Sequence, residues 1–176
     1  MLLLFCYDYL MQNSVTYKTY EQSDYSNLLL FFEIIDSDFY PPLSKRGTLI
    51  AYLDNDFLKP NMSLLALSQQ EIVGFINLQL GQPNINECYI NTIAVKSEFR
   101  KMGVGSQLIS KVISYAVESS FENIKIRTWS INTSGLALYN KLGFKTDYTV
   151  ANDRVGNVDS IYLIKYIGQS EASALT

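Results

Sequence analysis

Two hydrophobic periods alternate along this chain, and the switches between them mark its elements. Val15–Tyr20 sets Val, Thr and Tyr among polar residues and predicts a strand. Ser23 and Asp24 can cap a helix, after which Leu28, Phe31, Phe32 and Ile35 recur at helical spacing up to Asp36. Phe39-Tyr40-Pro41-Pro42-Leu43-Ser44 breaks regular structure, because adjacent prolines suit neither a helix interior nor a central strand. Thr48–Phe57 predicts a second helix with Leu49, Leu53 and Phe57 on one side. Met62–Ser68 and Ile72–Leu80 predict strands joined as a hairpin at Gln69-Gln70-Glu71. Gly81–Asn86 is a polar loop carrying Pro83, and Glu87–Val95 a long strand. Ser106–Ser120 gives the clearest helix, with Leu108, Ile109, Val112, Ile113, Ala116 and Val117 as one apolar stripe. Ile124–Ser130 predicts a strand, and Asn132–Leu142 a helix stopped by Gly143. Phe144–Val150 and Ser160–Ile167 predict two strands linked by the turn-rich Asn152–Asn157. The order β-α-α-β-β-β-α-β-α-β-β predicts one α/β domain over residues 15–167, a mixed sheet covered by helices. Residues 1–14 form an N-terminal extension and residues 168–176 a small, polar tail in this reading.

Composition narrows the chemistry. Of 176 residues, 48% are hydrophobic and 18% charged, which suits a packed core. A net charge of −3 gives no push toward nucleic acid or a membrane surface. The chain has no histidine, which removes His-containing triads, His-ligated metal sites and an imidazole base. Cys6 and Cys88 make neither a CxxC pair nor a four-Cys zinc site, and are expected as small hydrophobes in a reducing, cytoplasmic setting, with no metal. Met1–Leu10 is apolar but too short to span a bilayer and lacks a basic region or cleavage site; Met11 is an equally good start.

The segment that carries chemistry is Val95-Lys96-Ser97-Glu98-Phe99-Arg100-Lys101-Met102-Gly103-Val104-Gly105-Ser106, between the long strand and the amphipathic helix. Glycines at 103 and 105 permit a tight turn and leave N–H groups unshielded at a helix N-terminus, where the dipole favours anions. Arg100 and Lys101 add charge for phosphates. By itself Gly-x-Gly is as well explained by a plain turn into a helix. A Walker A loop is excluded, since no Gly-Lys-Ser/Thr follows, and a Rossmann fingerprint lacks its third glycine.

Arg100-x-x-Gly103-x-Gly105 after Ile93-Ala94-Val95 resembles the acetyl-CoA motif of the GNAT acetyltransferases. Asn132-Thr133-Ser134-Gly135-Leu136-Ala137-Leu138-Tyr139-Asn140-Lys141-Leu142-Gly143-Phe144 is similar to that family's Asn-x-x-Ala-x-x-Leu-Tyr-x-x-x-Gly-Phe segment, with Gly135 in the usual Ala place. The resemblance implies that Ile93–Val95 bond the pantetheine arm and thioester. It implies that backbone N–H groups of Lys101, Met102, Gly103, Val104, Gly105 and Ser106 hold the pyrophosphate, that Asn132 contacts pantetheine, and that Tyr139 protonates the departing thiolate. A backbone N–H such as that of Val95 suits the tetrahedral oxyanion, and a phenol with a pKa near that of the thiol suits the leaving group. Asn132 also fits a plain helix N-cap, and Tyr139 a helix residue whose hydroxyl reaches solvent.

The base is less well marked. Relatives often place an acid on the long strand where this chain has Tyr89 and Asn91. Glu87, on the same strand face as Tyr89, can act through water or be a solvated strand-start charge. Arg127, where relatives frequently have Glu, can bind a substrate carboxylate or phosphate or pair with an exposed acid. Acids beside Phe39 and Tyr40 can receive a cationic amine. The expectation is an N-acetyltransferase acting in a ternary complex on a primary amine, a small molecule ahead of a protein N-terminus or lysine. The rival is a non-catalytic acyl-CoA-binding domain. A homodimer through the late strands is implied by resemblance only.

Overall fold

The computed structural model describes residues 14–54, 61–81 and 86–167; the expectations for residues 1–13, Phe57, Pro83 and the tail lie outside the described residues. Strands β1 (Thr16–Thr19), β2 (Met62–Ser68), β3 (Glu71–Leu80), β4 (Glu87–Val95), β5 (Asn123–Trp129), β6 (Lys145–Arg154) and β7 (Val158–Tyr166) form one sheet in the order β1-β2-β3-β4-β5-β7-β6. Helices α1 (Tyr25–Ile35), α2 (Leu49–Tyr52), α3 (Val104–Glu118) and α4 (Thr133–Lys141) flank it. The expected mixed α/β architecture is therefore the one adopted. β4 and β5 are parallel, while β1–β2, β5–β7 and β6–β7 are antiparallel. No helix among the described residues is long and apolar enough to cross a membrane. The chain divides into two compact units, one of Met1–Asn77 with Thr92–Leu108, the other of Leu78–Asn91 with Ile109–Thr176.

The first unit is built on the apolar stripe of α1. Leu28, Phe31, Phe32 and Ile35 are buried with Leu43, Leu53, Leu65, Ile72 and Phe75. Each such side chain contributes about 1.5–3 kcal/mol by leaving water. Phe32 meets Phe31 and Phe75 edge-on at 5.4 Å each. Asp24 stands at the N-cap of α1 but makes no side-chain cap bond to that helix. Its side chain instead closes the 3-10 turn Gln22–Asp24 that leads into α1, in a reciprocal capping box with Glu21, whose N–H donates to Asp24 Oδ2 at 2.9 Å. The second predicted helix is α-helical over Leu49–Tyr52, capped by Thr48 Oγ1 accepting from Ala51 N–H at 3.1 Å, and its predicted end lies outside the described residues. Gln69 (φ 50) and Gln70 (φ 68) both take the left-handed conformation a two-residue hairpin turn needs.

In the second unit, Cys88 and Ile90 of β4 and Ile124 and Ile126 of β5 are buried. The β4–β5 register runs from Glu87↔Asn123 to Ile90↔Ile126, and β4 continues to Val95. β5 stays paired with β7 through Trp129↔Ser160. β6 runs to Arg154, beyond the predicted end at Val150, because register shifts let it follow β7 past Asn152. Along α3 the predicted stripe is too wide. Ala116 is buried, but Val117 is 54% exposed. At about 100° per residue, Val117 falls on the far side of the helix from Leu108.

Candidate active site

In the first unit, the loop after β4 is fixed at both ends. Lys96 N–H donates to Val73 O at 2.9 Å, and the buried Lys96 ammonium is paired with Glu71. Beyond the loop, Gly74 of β3 makes room for the start of α3: a Cβ there would lie 3.1 Å from Val104 Cγ1 and 3.2 Å from Leu108 Cδ1. Gly74 lies outside the motif, and sequence reading did not single it out; its signal is a lone glycine inside a strand pattern. Helix α3 begins at Val104, two residues before the predicted Ser106, and its first bond runs from Gln107 N–H to Gly103 O at 3.0 Å. The N–H groups of Val104, Gly105 and Ser106 precede that bond and have no partner within the helix.

The tight turn is made differently from expectation. Gly103 has φ +85, but Gly105 lies inside the first helical turn, and Lys101 (φ 62) takes the other left-handed position. A Cβ on Gly103 would meet nothing within 4 Å, so the helix N-terminus is open at that point. Lys101, Met102 and Gly103 are exposed around it. Arg100, expected to serve phosphates, donates from Nε to Val95 O at 2.9 Å and forms an ion pair with Asp38. Ile93, Ala94 and Val95 are half-buried. Phe39 packs on the core with its ring 6.3 Å from Phe32. Tyr40, joined to Pro41 by a cis bond, lends its carbonyl to Arg46 Nη2 at 3.1 Å.

In the second unit, Asn132 caps α4. Its Oδ1 accepts from Gly135 N–H at 3.1 Å, and its Nδ2 donates to Thr128 Oγ1 at 2.9 Å. Tyr139 is buried, with its ring edge-on to Phe144 at 6.2 Å. Its hydroxyl therefore does not simply reach solvent. Burial pushes the phenol well above the ordinary tyrosine range, away from the thiol-like value expected for it. Glu87 accepts from Lys125 Nζ at 3.0 and 2.8 Å and from Asn123 Nδ2 at 3.4 Å. The Lys125 ammonium holds its carboxyl below the usual glutamate range, which makes it a weaker base. Cys88 is a buried thiol pushed up to about 12 by desolvation, a poor nucleophile.

The β4–β5 register brings Tyr89, Lys125 and Arg127 to one face, with Tyr162 beside Arg127 on β7. Tyr89 is half-buried, which raises its phenol, while Arg127 acts in the opposite direction. Asn91 is half-buried one residue beyond the last β4–β5 pair.

Residues 28–144 match the model of the acetyltransferase (GNAT) family. The chain belongs to that family. N-alpha-acetyltransferase 30 of Xenopus laevis is 32% identical over 106 residues, covering 59% of this chain and 39% of that protein. The chain thus spans about two-fifths of this curated relative's length. The ribosomal-protein-S18-alanine N-acetyltransferase of Escherichia coli superposes with a TM-score of 0.74 at 17% identity, covering 93% of this chain and 100% of that one. The NatC complex bound to Gag peptide and CoA superposes with a TM-score of 0.69 at 20% identity, covering 88% and 99%. Within this GNAT chain, Gly135 departs from the family's alanine for a reason visible in the cap. A Cβ at 135 would stand 2.4 Å from Asn132 Nδ2, so the glycine lets the Asn132 amide fold over the helix end.

Proposed function

We propose that this GNAT chain transfers the acetyl group of acetyl-CoA to a primary amine, by direct attack with both substrates bound. The observation that carries the reading is the open start of α3. A 15-residue helix presents N–H groups that have no partner within the helix, behind a glycine where an added Cβ would meet nothing within 4 Å, beside the exposed Lys101. That arrangement fits a diphosphate. Acetyl-CoA supplies the activated acyl thioester.

The chain's residues do the rest in this reading. N–H groups from Lys101 to Ser106 hold the diphosphate, and Arg100 steadies the loop from Val95 O. The backbone of Ile93–Val95 aligns the acyl arm, and Val95 N–H stabilises negative charge at the carbonyl oxygen. Asn132 orders α4, so that Tyr139 keeps its proton at Oη for the departing sulfur. A phenol raised by burial stays protonated throughout the neutral range, at the cost of being a weaker acid than a thiol-matched one. With Glu87 held by Lys125 and no imidazole in the chain, water removes the amine's proton.

For the acceptor, the name of the Xenopus relative supports the α-amine of a polypeptide. The relatives reported above lend the small-molecule amine no comparable support. Free-thiol release should be measured with acetyl-CoA over short peptides with free N-termini and a set of small amines. Turnover on peptides is expected. CoA binding by calorimetry with no thiol released on any acceptor would instead establish a binding domain.

A further inference from the structure

Arg127 stands on the exposed sheet face of the second unit, and its guanidinium is in no ion pair among the described residues. Ion pairs among the described residues join Lys18–Asp24, Lys96–Glu71, Arg100–Asp38 and Lys125–Glu87, and Arg127 is in none of them. Its guanidinium, with five N–H donors, makes a 3.4 Å bond from Nη1 to the neutral Tyr162 oxygen and lies 5.8 Å from that ring's centre. Tyr162 is stacked on Tyr148 at 4.2 Å and 14°, a flat apolar wall. Tyr89 lies on the same face. Asp153 acts on the Arg127 charge without an ion pair, its carboxylate accepting instead from Ser160 Oγ at 2.6 Å, while Ser160 Oγ accepts from Arg154 Nε at 3.0 Å. Arg127 is the first β5 residue past the last β4–β5 pair, Ile90↔Ile126. Its β4 counterpart, Asn91, comes two residues before Ile93, where the proposed acyl-arm segment begins.

We propose that Arg127, framed by Tyr89, Tyr148 and Tyr162, binds a carboxylate of the acceptor and so selects amines that carry one close by. A guanidinium fork matches a carboxylate in two parallel bonds, and the tyrosine wall supports the flat group from the side. The inference deepens the acetyl-transfer reading and rests on it.

The test compares acceptors that differ only in charge. Three C-terminally amidated tripeptides pairs carry Glu or Gln at the first, second or third residue, and 4-aminobutyrate is set against its amide. With the full chain, the acidic member of at least one pair should have kcat/KM about tenfold higher or more. Arg127→Gln should bring that ratio close to one, and Arg127→Lys should keep part of it. A preference confined to peptides assigns the carboxylate to an acidic residue of a polypeptide; one confined to 4-aminobutyrate assigns it to a small molecule. Equal kcat/KM in every pair, or a preference unchanged in Arg127→Gln, overturns the proposal. Trp129, the chain's single tryptophan, lies two residues from Arg127 and gives a readout without turnover. Its fluorescence should saturate with the preferred acidic acceptor and require about tenfold more of it in Arg127→Gln. If that dependence is seen while no acceptor releases thiol, the anion site stands and the transfer reading fails.

Discussion

Adding one methyl group at Gly135 tests the coupling between the α4 cap and its glycine. The new Cβ would lie 2.4 Å from Asn132 Nδ2 and 2.8 Å from its Cγ, too close for the amide to stay. The amide is the end of a short flexible side chain, so it swings away and the backbone is spared. Two bonds are then lost, the cap to Gly135 N–H at 3.1 Å and the bond to the buried Thr128 hydroxyl at 2.9 Å. The cap contributes about 1 kcal/mol and the Thr128 bond about 1 more. Replacing a helical glycine by alanine returns up to about 1 kcal/mol. Gly135→Ala should therefore destabilise by about 1 kcal/mol, and Asn132→Ala alone by about 2 kcal/mol. In the double variant the asparagine has already left its place, so removing it should cost about nothing, a coupling of about 2 kcal/mol. Urea unfolding of the four proteins measures this. Asn132→Ala costing the same in both backgrounds would refute the steric account.

Three further outcomes follow from the geometry. Gly103→Val should cost about 1–2 kcal/mol of stability through its left-handed φ, its Cβ meeting nothing within 4 Å, and lower CoA affinity at least tenfold by calorimetry; undiminished affinity would remove the α3 N-terminus from the diphosphate site. Tyr139→Phe should cut kcat while CoA affinity holds, and in an ultraviolet pH titration, where Tyr17, Tyr20, Tyr25 and Tyr89 also ionise later than an ordinary tyrosine, the variant should lack the phenol that ionises last. Glu87→Gln should cost no more than about 0.5 kcal/mol near pH 7, since both partners are over a third exposed. Because the Glu87 pKa is lowered on folding, its stabilisation is present above the unfolded carboxyl pKa and fades as pH falls through the folded one, so the variant and wild type should converge in acid. A large loss of kcat in Glu87→Gln would restore Glu87 as the base.

Local patterns were legible and distant partners were not. Met62–Ser68 and Glu87–Val95 match their strands to the residue, because alternation and turn residues are read within a few positions. The loop into α3 was legible for the same reason, although the start of α3 slipped by two residues. Gly103 takes a positive φ that a glycine advertises, whereas Lys101 takes one that a lysine conceals. Arg100 was expected on phosphate because its partner Asp38 is 62 residues away. Glu87 could not be assigned from sequence, since Lys125 reaches it only through the parallel β4–β5 register. The Arg127–Tyr162–Tyr148 group needs the order β5-β7-β6, which swaps the last two strands relative to the chain.

That swap leaves β6 as the rim of the sheet, ten residues long and exposed along nearly all its length. A rim strand offers unpaired backbone groups to any extended chain that drifts past. Here Lys145, Asp147, Asp153 and Arg154 put charge near both ends, and register shifts between Thr146 and Tyr148 and between Val150 and Arg154 bend the ladder. The flat run between them is only Tyr148-Thr149-Val150, too short to seed stacking of copies. Neutralising Asp147 and Asp153 together would lengthen that adhesive stretch, and concentrated samples of such a variant would be the ones to cloud on storage.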